Sequence, residues 1–458
     1  MRILYYSLPC FASLGGMNIY VKDIVEREAK SNEVTFLYPG RYTFSKKTKI
    51  IKQKGLKLDH VTVYEIINPN WIAYKGIRDI DKFIQIGDKK IYEKFLTDQR
   101  PDIIHIHTLL GIQSSFLQSC KELNIKIIYT AHDYYGLCPK IDLYKGVVCK
   151  KGISEECFLC CKNGESIEEI RRRESKLNKW IWKNKTIRKI VLNSEFLTHK
   201  ASVVINKKEN LEKNVGIKKS ERNYVELKKY FQIQFSYIDY FHFNSNQTKS
   251  EFLKYLYGIN GEVIYLFHKN IADQRKRKKI KGNVQFGYMG RLQSNKGFFL
   301  LKDILDELYY KKEIRNFNLH IYTQLRQEAD DYIIYHDPYD VKNISEVMYS
   351  LDLVIVPSLW KETWGFNVLE ALSCGIPVLL TDYVAAKEIE LQLEIKIDSV
   401  GPCKDELQRA IQKYLENPAL LVEYNERICK AKNIFSYDEH VKKIEKMYEQ
   451  VKRGKNEF

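Results

Sequence analysis

At 458 residues, 44% hydrophobic and 29% charged, the chain has the composition of a folded protein too long for one compact core, which predicts two α/β domains. It holds no low-complexity tract and no run of about 18 apolar residues, so neither a disordered chain nor a membrane-spanning helix is expected. The formal net charge of +17 is unevenly spread: residues 1–283 carry 52 Lys+Arg against 30 Asp+Glu, and residues 284–458 carry 23 against 28. Such an asymmetry suits an N-terminal domain facing an anionic surface, membrane or nucleic acid, with a solvated lysine-rich surface as the alternative.

Residues Arg2 to Ser7 read as a first strand rather than a signal peptide, so cytoplasmic residence is expected. Gly15 and Gly16 follow in a loop before a helix from about Asn18 to Ala29, whose inner face holds Ile19, Val21, Ile24 and Val25. Glycines at a helix N-terminus let backbone approach a ligand closely, and alone they mark only a tight turn. Apolar strands are predicted at 33–38, 61–67, 102–107 and 125–132 with helical spacers, the pattern of a parallel, doubly wound sheet. Asp79-Ile80-Asp81 lies in a charged, weakly periodic stretch and reads as solvated surface rather than a metal motif.

His132 stands at the C-terminal end of a strand, where open α/β sheets place their sites. It suits a hydrogen bond to a ligand hydroxyl or a developing charge, or simply a satisfied strand end. Cys138, Cys149, Cys157, Cys160 and Cys161 come next, with metal-knuckle spacing between Cys157 and Cys160. A structural zinc held by Cys138, Cys149, Cys157 and Cys160 is one reading, and free cysteines are the other. Residues 165–235 form a polar, helical insertion, within which residues 171–189 set Trp180 and Trp182 among nine Lys and Arg. An amphipathic helix on anionic lipid fits that pattern, as do nucleic acid and a solvated helix packing its tryptophans. The lysine-rich stretch from Arg41 to Lys57 would add to the same face.

Strands at 240–245 and 263–268 close the first half, and 271–282 reads as a short, charged linker between domains of residues 1–270 and 283–435. A second alternation has strands at 284–289, 319–323, 331–335, 353–356 and 377–380. The first ends at Gly290 and Arg291, with Lys296 nearby, and close backbone with two positive charges is what a diphosphate needs. After the strand at 353–356, a loop carries Glu362 and Gly365, and a helix from Phe366 carries Asn367 and Glu370. Strand, glycine loop and helix N-terminus together make an anion site. Ser436 and Glu439 form a capping box for a last helix through Val451.

The string P-S-x-x-x-E-x-x-G-x-x-x-x-E-A-x-x-x-G-x-P-V from Pro357 to Val378 resembles the signature of the retaining family 4 glycosyltransferases. G-R-L-x-x-x-K-G from Gly290 and H-D-Y-x-x-L-C-P from His132 are similar to further stretches of that family. The resemblance covers both halves and is weakest across 165–235. It implies the GT-B fold, two Rossmann-like domains facing a central cleft, with residues 436–458 packing back on the first. It implies a nucleotide-sugar donor, UDP- or GDP-linked, held by the C-terminal domain. Glu362 would hold donor-sugar hydroxyls, Glu370 the ribose, and the amides of Gly365, Phe366 and Asn367 the distal phosphate. Arg291 and Lys296 would hold the diphosphate, with Gly290 behind them, and the Gly15–Gly16 loop would face donor phosphates and acceptor. His132 would assist at the sugar, and no metal would be needed for catalysis.

The implied acceptor is a glycan or lipid-linked glycan at the inner membrane face, in bacterial surface-polysaccharide assembly. Thr363 departs from the family's usual Gly or Pro. Thr323 and the His336–Tyr339 turn depart from its usual glycines, which leaves the nucleotide open. A catalytically inactive scaffold and a nucleic-acid binder remain alternatives; the four polar motif residues oppose the first, and no recognition motif supports the second.

Overall fold

The computed structural model describes residues 1–10, 15–45, 47–54, 58–174, 214–323, 330–339, 341–432 and 436–454. Trp180 and Trp182 lie outside them. Two sheets dominate. The first is built from β1 (Arg2–Tyr6), β2 (Glu33–Pro39), β3 (Lys49–Lys52), β4 (Val61–Ile67), β5 (Ile103–Ile106), β6 (Lys126–Ala131), β7 (Tyr240–Phe243) and β8 (Gly261–Val263). Their order is β3-β4-β2-β1-β5-β6-β7-β8, parallel except for β3, which pairs antiparallel with β4. The second comprises β9 (Val284–Tyr288), β10 (Phe317–Tyr322), β11 (Ile333–His336), β12 (Leu353–Val356), β13 (Val378–Thr381) and β14 (Asp398–Val400). It is wholly parallel in the order β11-β10-β9-β12-β13-β14.

The sequence explains the placement of strands within each sheet. Leu353-Val354-Ile355-Val356 and Val378-Leu379-Leu380-Thr381 are buried throughout, as central parallel strands covered on both faces must be. β3, by contrast, is a largely exposed edge with lysine at both ends, a composition that discourages further pairing. Its lysines read as surface in the sequence, and the strand exists because β4 offers it a partner. β14, at the edge of the second sheet, has three residues, a length that hides it from any periodicity argument. The strand expected at 263–268 forms earlier, at Gly261–Val263, and residues 264–268 are not strand, since pairing with β7 ends at Val263.

Chain direction reverses its lateral march between β1 and β5, and again between β9 and β12. Crevices at such switch points, beyond the carboxyl ends of the strands, are where open α/β sheets bind ligands. Residues 271–282 run between the sheets without helix or strand. Their basic side chains are tied down: Lys278 meets Asp352 at 2.8 Å, and Arg275 donates to the carbonyls of Ile428 and Ala431.

The last helix, Tyr437–Lys452, begins where Ser436 Oγ accepts from the Glu439 amide at 3.2 Å. It buries His440, Val441, Ile444, Met447, Tyr448 and Val451, a three-and-four spacing that makes one apolar face. Tyr448 reaches the first sheet, with its hydroxyl 2.7 Å from His105 Nδ1 and 2.8 Å from the Tyr5 hydroxyl. One apolar cluster therefore runs from Ile3 and Tyr20 through Trp364 and Val368 to Met447. Among the described residues no helix is long and apolar enough to cross a membrane.

Candidate active site

The loops that carry the motif residues emerge at the carboxyl ends of β1, β6, β9 and β12, so both switch-point crevices open toward one another. The β12 loop is anchored first. Glu362 is buried, its amide donates to the Tyr383 carbonyl, and its own carbonyl accepts from Gln247 Nε2 at 2.9 Å. Gly365 has φ +145°, a conformation open to glycine, and caps the helix Phe366–Ser373 with no side-chain hydrogen bond at the cap. The free amides of that helix start thus carry the positive end of its dipole into the crevice.

Gly297 is forced by packing. Its φ is +72° and a Cβ there would sit 1.7 Å from the Pro357 carbonyl oxygen. This close approach sets Lys296 beside the Glu362 loop. Lys296 Nζ lies 2.8 Å from Glu362 Oε1 and 4.8 Å from the centre of the Trp360 ring. Ser358 Oγ donates to the same carboxylate oxygen. Arg291 is exposed nearby on the β9 loop, and among the described residues its guanidinium has no acceptor. Gly290 precedes it, its Cα pressed toward the Tyr288 hydroxyl, which donates to the Arg291 carbonyl at 2.6 Å.

Glu370 is buried one turn into the helix and has both oxygens occupied. His268 Nε2 lies 3.1 Å from Oε1, and the Tyr339 hydroxyl donates to Oε2 at 2.9 Å. Phe366, at the helix start, packs its ring on His268 at 5.2 Å and on Tyr20 at 6.4 Å. Gly16 faces it so closely that a Cβ would be 2.9 Å from Phe366 Cδ2. Gly15 caps the following helix Gly16–Glu28 without a side-chain bond. Asn367 uses its side-chain oxygen on the Val368 amide at 3.1 Å.

His132 joins this assembly from β6. Its carbonyl accepts from Thr363 Oγ1 at 2.7 Å, while Ser245 and Thr248 donate to the Thr363 carbonyl. The ring is paired through Nε2 with His107 Nδ1 at 2.9 Å, and burial together with the His242 charge lowers its pKa to about 3. His132 is therefore a neutral imidazole at physiological pH, able to exchange hydrogen bonds but not to carry charge. The structure thus brings together Gly16, His132, Arg291, Lys296, Glu362, Gly365, Phe366 and Glu370 on facing loops. Two residues that local pattern did not single out also belong here, His268 and Trp360, and Tyr339 joins them from the turn that departs from the family's glycines. Only tertiary contact identifies His268, which lies about a hundred residues before the carboxylate it holds.

The cysteine reading needs correction. Among the described residues no group of three or more His, Cys, Asp or Glu is placed to hold a metal ion, so the zinc site of Cys138, Cys149, Cys157 and Cys160 is not assembled. Cys138 and Cys157 turn instead into the apolar cluster with Leu137, Leu143 and Ile153, and Cys149 and Cys160 pack against its edge. Burial raises the thiol pKa of both Cys138 and Cys157. Cys157 Sγ accepts from the Ser154 amide, and Cys138 Sγ from the Lys140 amide, so both behave as loop-packing groups.

Comparison with known proteins gives this geometry a family. Residues 14–198 match the model for Glycosyltransferase Family 4, and residues 270–433 match that for Glycosyl transferases group 1. An uncharacterised 42.6 kDa protein in the cps region of Klebsiella pneumoniae is 24% identical over 303 residues, 64% of this chain and 61% of that one. The chain thus spans under two thirds of that relative's length. Sucrose-phosphate synthase from Thermosynechococcus elongatus superposes with a TM-score of 0.57 at 13% identity, over 99% of this chain and 100% of that one. Anabaena HepE, solved with UDP and glucose, superposes with a TM-score of 0.54 at 15% identity, over 98% and 99%. With two parallel Rossmann-like sheets facing one crevice, the chain has the GT-B fold and belongs to the glycosyl transferases group 1, the family 4 glycosyltransferases.

Proposed function

We propose that the protein moves a sugar from a UDP- or GDP-sugar to a glycan or lipid-linked glycan, with retention at the anomeric carbon, in assembly of a surface polysaccharide. The observation that carries this reading is the convergence on one crevice of Arg291, whose guanidinium has no acceptor among the described residues, the Lys296–Glu362 pair and a helix N-terminus without a side-chain cap. A leaving nucleoside diphosphate concentrates negative charge where those groups point, and charge stabilisation there lowers the barrier. The Klebsiella relative from a cps region favours the polysaccharide setting, and HepE bound to UDP and glucose favours a uridine donor.

In the reaction proposed, the bond from the anomeric carbon to the diphosphate oxygen breaks as the acceptor hydroxyl bonds to the same face. The hydroxyl proton passes to the departing phosphate oxygen, so no protein base is consumed. Arg291 and Lys296 hold the diphosphate, the amides from Gly365 to Asn367 its distal phosphate, and Glu362 the sugar hydroxyls. Glu370 holds the ribose after Tyr339 yields its oxygen. His132, neutral and fixed by His107, offers a hydrogen bond at the sugar. These groups supply the charge compensation that a metal would otherwise supply. The basic first half suits a site at the inner membrane face, where anionic lipid attracts lysine and arginine.

Calorimetric titration with UDP, GDP and ADP, beside Glu370→Ala, tests the donor site. One nucleotide is expected to bind and to be lost in the variant. Absence of binding by folded protein would move the reading to a scaffold that has lost catalysis.

A further inference from the structure

We propose that a pocket of the first sheet, between the loop after β4 and the helix Ile167–Arg173, binds a sugar residue of the acceptor glycan, remote from the reacting hydroxyl. The inference rests on the glycosyltransferase reading. The cavity measures about 370 Å³, inside the range of roughly 300–1,000 Å³ usual for small-molecule sites. Its wall includes Tyr42, Asn68, Trp71, Gln85, Gln113 and Arg171. Aromatic rings with planar amides and a guanidinium are the complement of a pyranose, which has apolar C–H faces and a hydroxyl rim.

The wall is held in place by its own hydrogen bonds. Trp71 stacks on Tyr42 at 4.8 Å and donates Nε1 to the Lys82 carbonyl at 3.1 Å. Asn68 donates to the Lys47 carbonyl, and Gln113 accepts from the Tyr92 hydroxyl at 2.9 Å. Gln85 donates its amide to the Lys82 carbonyl at 2.8 Å, and among the described residues its side-chain oxygen meets no donor. The Arg171 guanidinium lies 5.2 Å over the Trp71 ring and, among the described residues, forms no ion pair or hydrogen bond. A Lys82–Glu168 pair at 3.4 Å closes the rim. Among the described residues the pocket thus offers one open acceptor and a fork of open donors beside the stacked pair of Tyr42 and the buried Trp71.

Its position suits an extended acceptor. The same loop continues to Tyr74, which is 45% exposed. Partial burial lifts the Tyr74 hydroxyl to about 12, against the opposing charges of Arg173 and Arg291. Tyr74, three residues after Trp71, thus lies within electrostatic reach of Arg291 on the β9 loop. An oligosaccharide with one ring in the pocket would run past Tyr74 toward the crevice.

The test uses saturation-transfer NMR of the full chain with cellotetraose and a hyaluronan tetrasaccharide, on wild type, Arg171→Ala and Gln85→Ala. Both substitutions are at the rim and spare the core. Melting curves and UDP calorimetry run on the same samples. Binding of either oligosaccharide, weakened tenfold or more in both folded variants, is the expected result. Binding by neither oligosaccharide, or binding unchanged in both variants, overturns the proposal. If UDP fails to bind while oligosaccharide binding still depends on Arg171, the transferase reading fails and the pocket stands as a glycan site.

Discussion

Thr363 Oγ1 donates to the main-chain carbonyl of His132 at 2.7 Å, joining the β12 loop of the second sheet to the β6 end of the first. The residue that departs from the family's Gly or Pro is one of those that tie the two halves of the crevice, beside Gln247, Ser245 and Thr248. Thr363→Val keeps the shape and removes the bond. It is expected to cost about 1 kcal/mol of stability and, by loosening the reacting geometry, roughly tenfold in kcat. Thermal unfolding and steady-state kinetics on the same preparation check this, and unchanged kcat would deny the tie a role in turnover.

Lys296 and Glu362 make a pair in which the carboxylate is the more buried partner. Lys296→Ala leaves that charge with Ser358 as its remaining side-chain donor among the described residues, at a cost of roughly 2 kcal/mol. The double variant with Glu362→Gln is expected to recover much of the stability and none of the donor affinity. A double-mutant cycle in urea, with nucleotide calorimetry alongside, separates the two effects. Recovery of donor binding in the double variant would show that neither residue touches the donor.

Tyr339 competes for the Glu370 oxygen assigned to the ribose. Tyr339→Phe deletes the competing hydroxyl and retains the ring, so nucleotide Kd is expected to fall about threefold to tenfold, the worth of one hydrogen bond. Glu370→Ala should abolish binding. Weaker binding in Tyr339→Phe would mean that the hydroxyl contacts the nucleotide.

Acid should weaken this fold early. Burial holds His105 and His107 well below the usual imidazole range, His132 and His440 at about 3, and His242 at about 4. Below about pH 6.5 the unfolded chain takes up protons that these folded imidazoles refuse, so stability falls as pH drops toward 4. Burial raises Glu28 to about 7 and Asp133 to about 6, and these two act in the opposite direction, binding protons first in the folded state. These five histidines, joined by His320 at about 4, outnumber Glu28, Asp133 and the likewise raised Asp142 and predict a lower urea midpoint at pH 5 than at pH 7. A midpoint flat across that interval would contradict the neutral histidine network.

The buried cysteines give a further measurement. With Cys138 and Cys157 packed as thiols, chelation by EDTA is expected to leave the melting temperature unchanged. Cys157→Ser, which puts a hydroxyl among apolar neighbours, is expected to cost roughly 1–3 kcal/mol. A large drop in melting temperature on chelation would restore the zinc reading.

Sequence alone determined the architecture, because both sheets are spelled by apolar strands at regular intervals and period-two or fully buried runs need no distant partner to be recognised. It also marked Arg291, Lys296, Glu362 and Glu370, since each sits at a fixed offset from a glycine or strand end in one local string. Tertiary structure decided everything that depends on who stands opposite. That His268 and Tyr339 occupy Glu370 and that Thr363 holds His132 follow from contacts between segments distant in the chain, and β3 is a strand because it pairs with β4. The cysteines show the same limit: Cys157 and Cys160 have ligand spacing, yet the fold turns Cys138 and Cys157 inward, and burial favours the protonated thiol. Spacing reports which side chains lie on one turn, while hydrogen-bond partners and dielectric surroundings exist only once the chain has closed on itself.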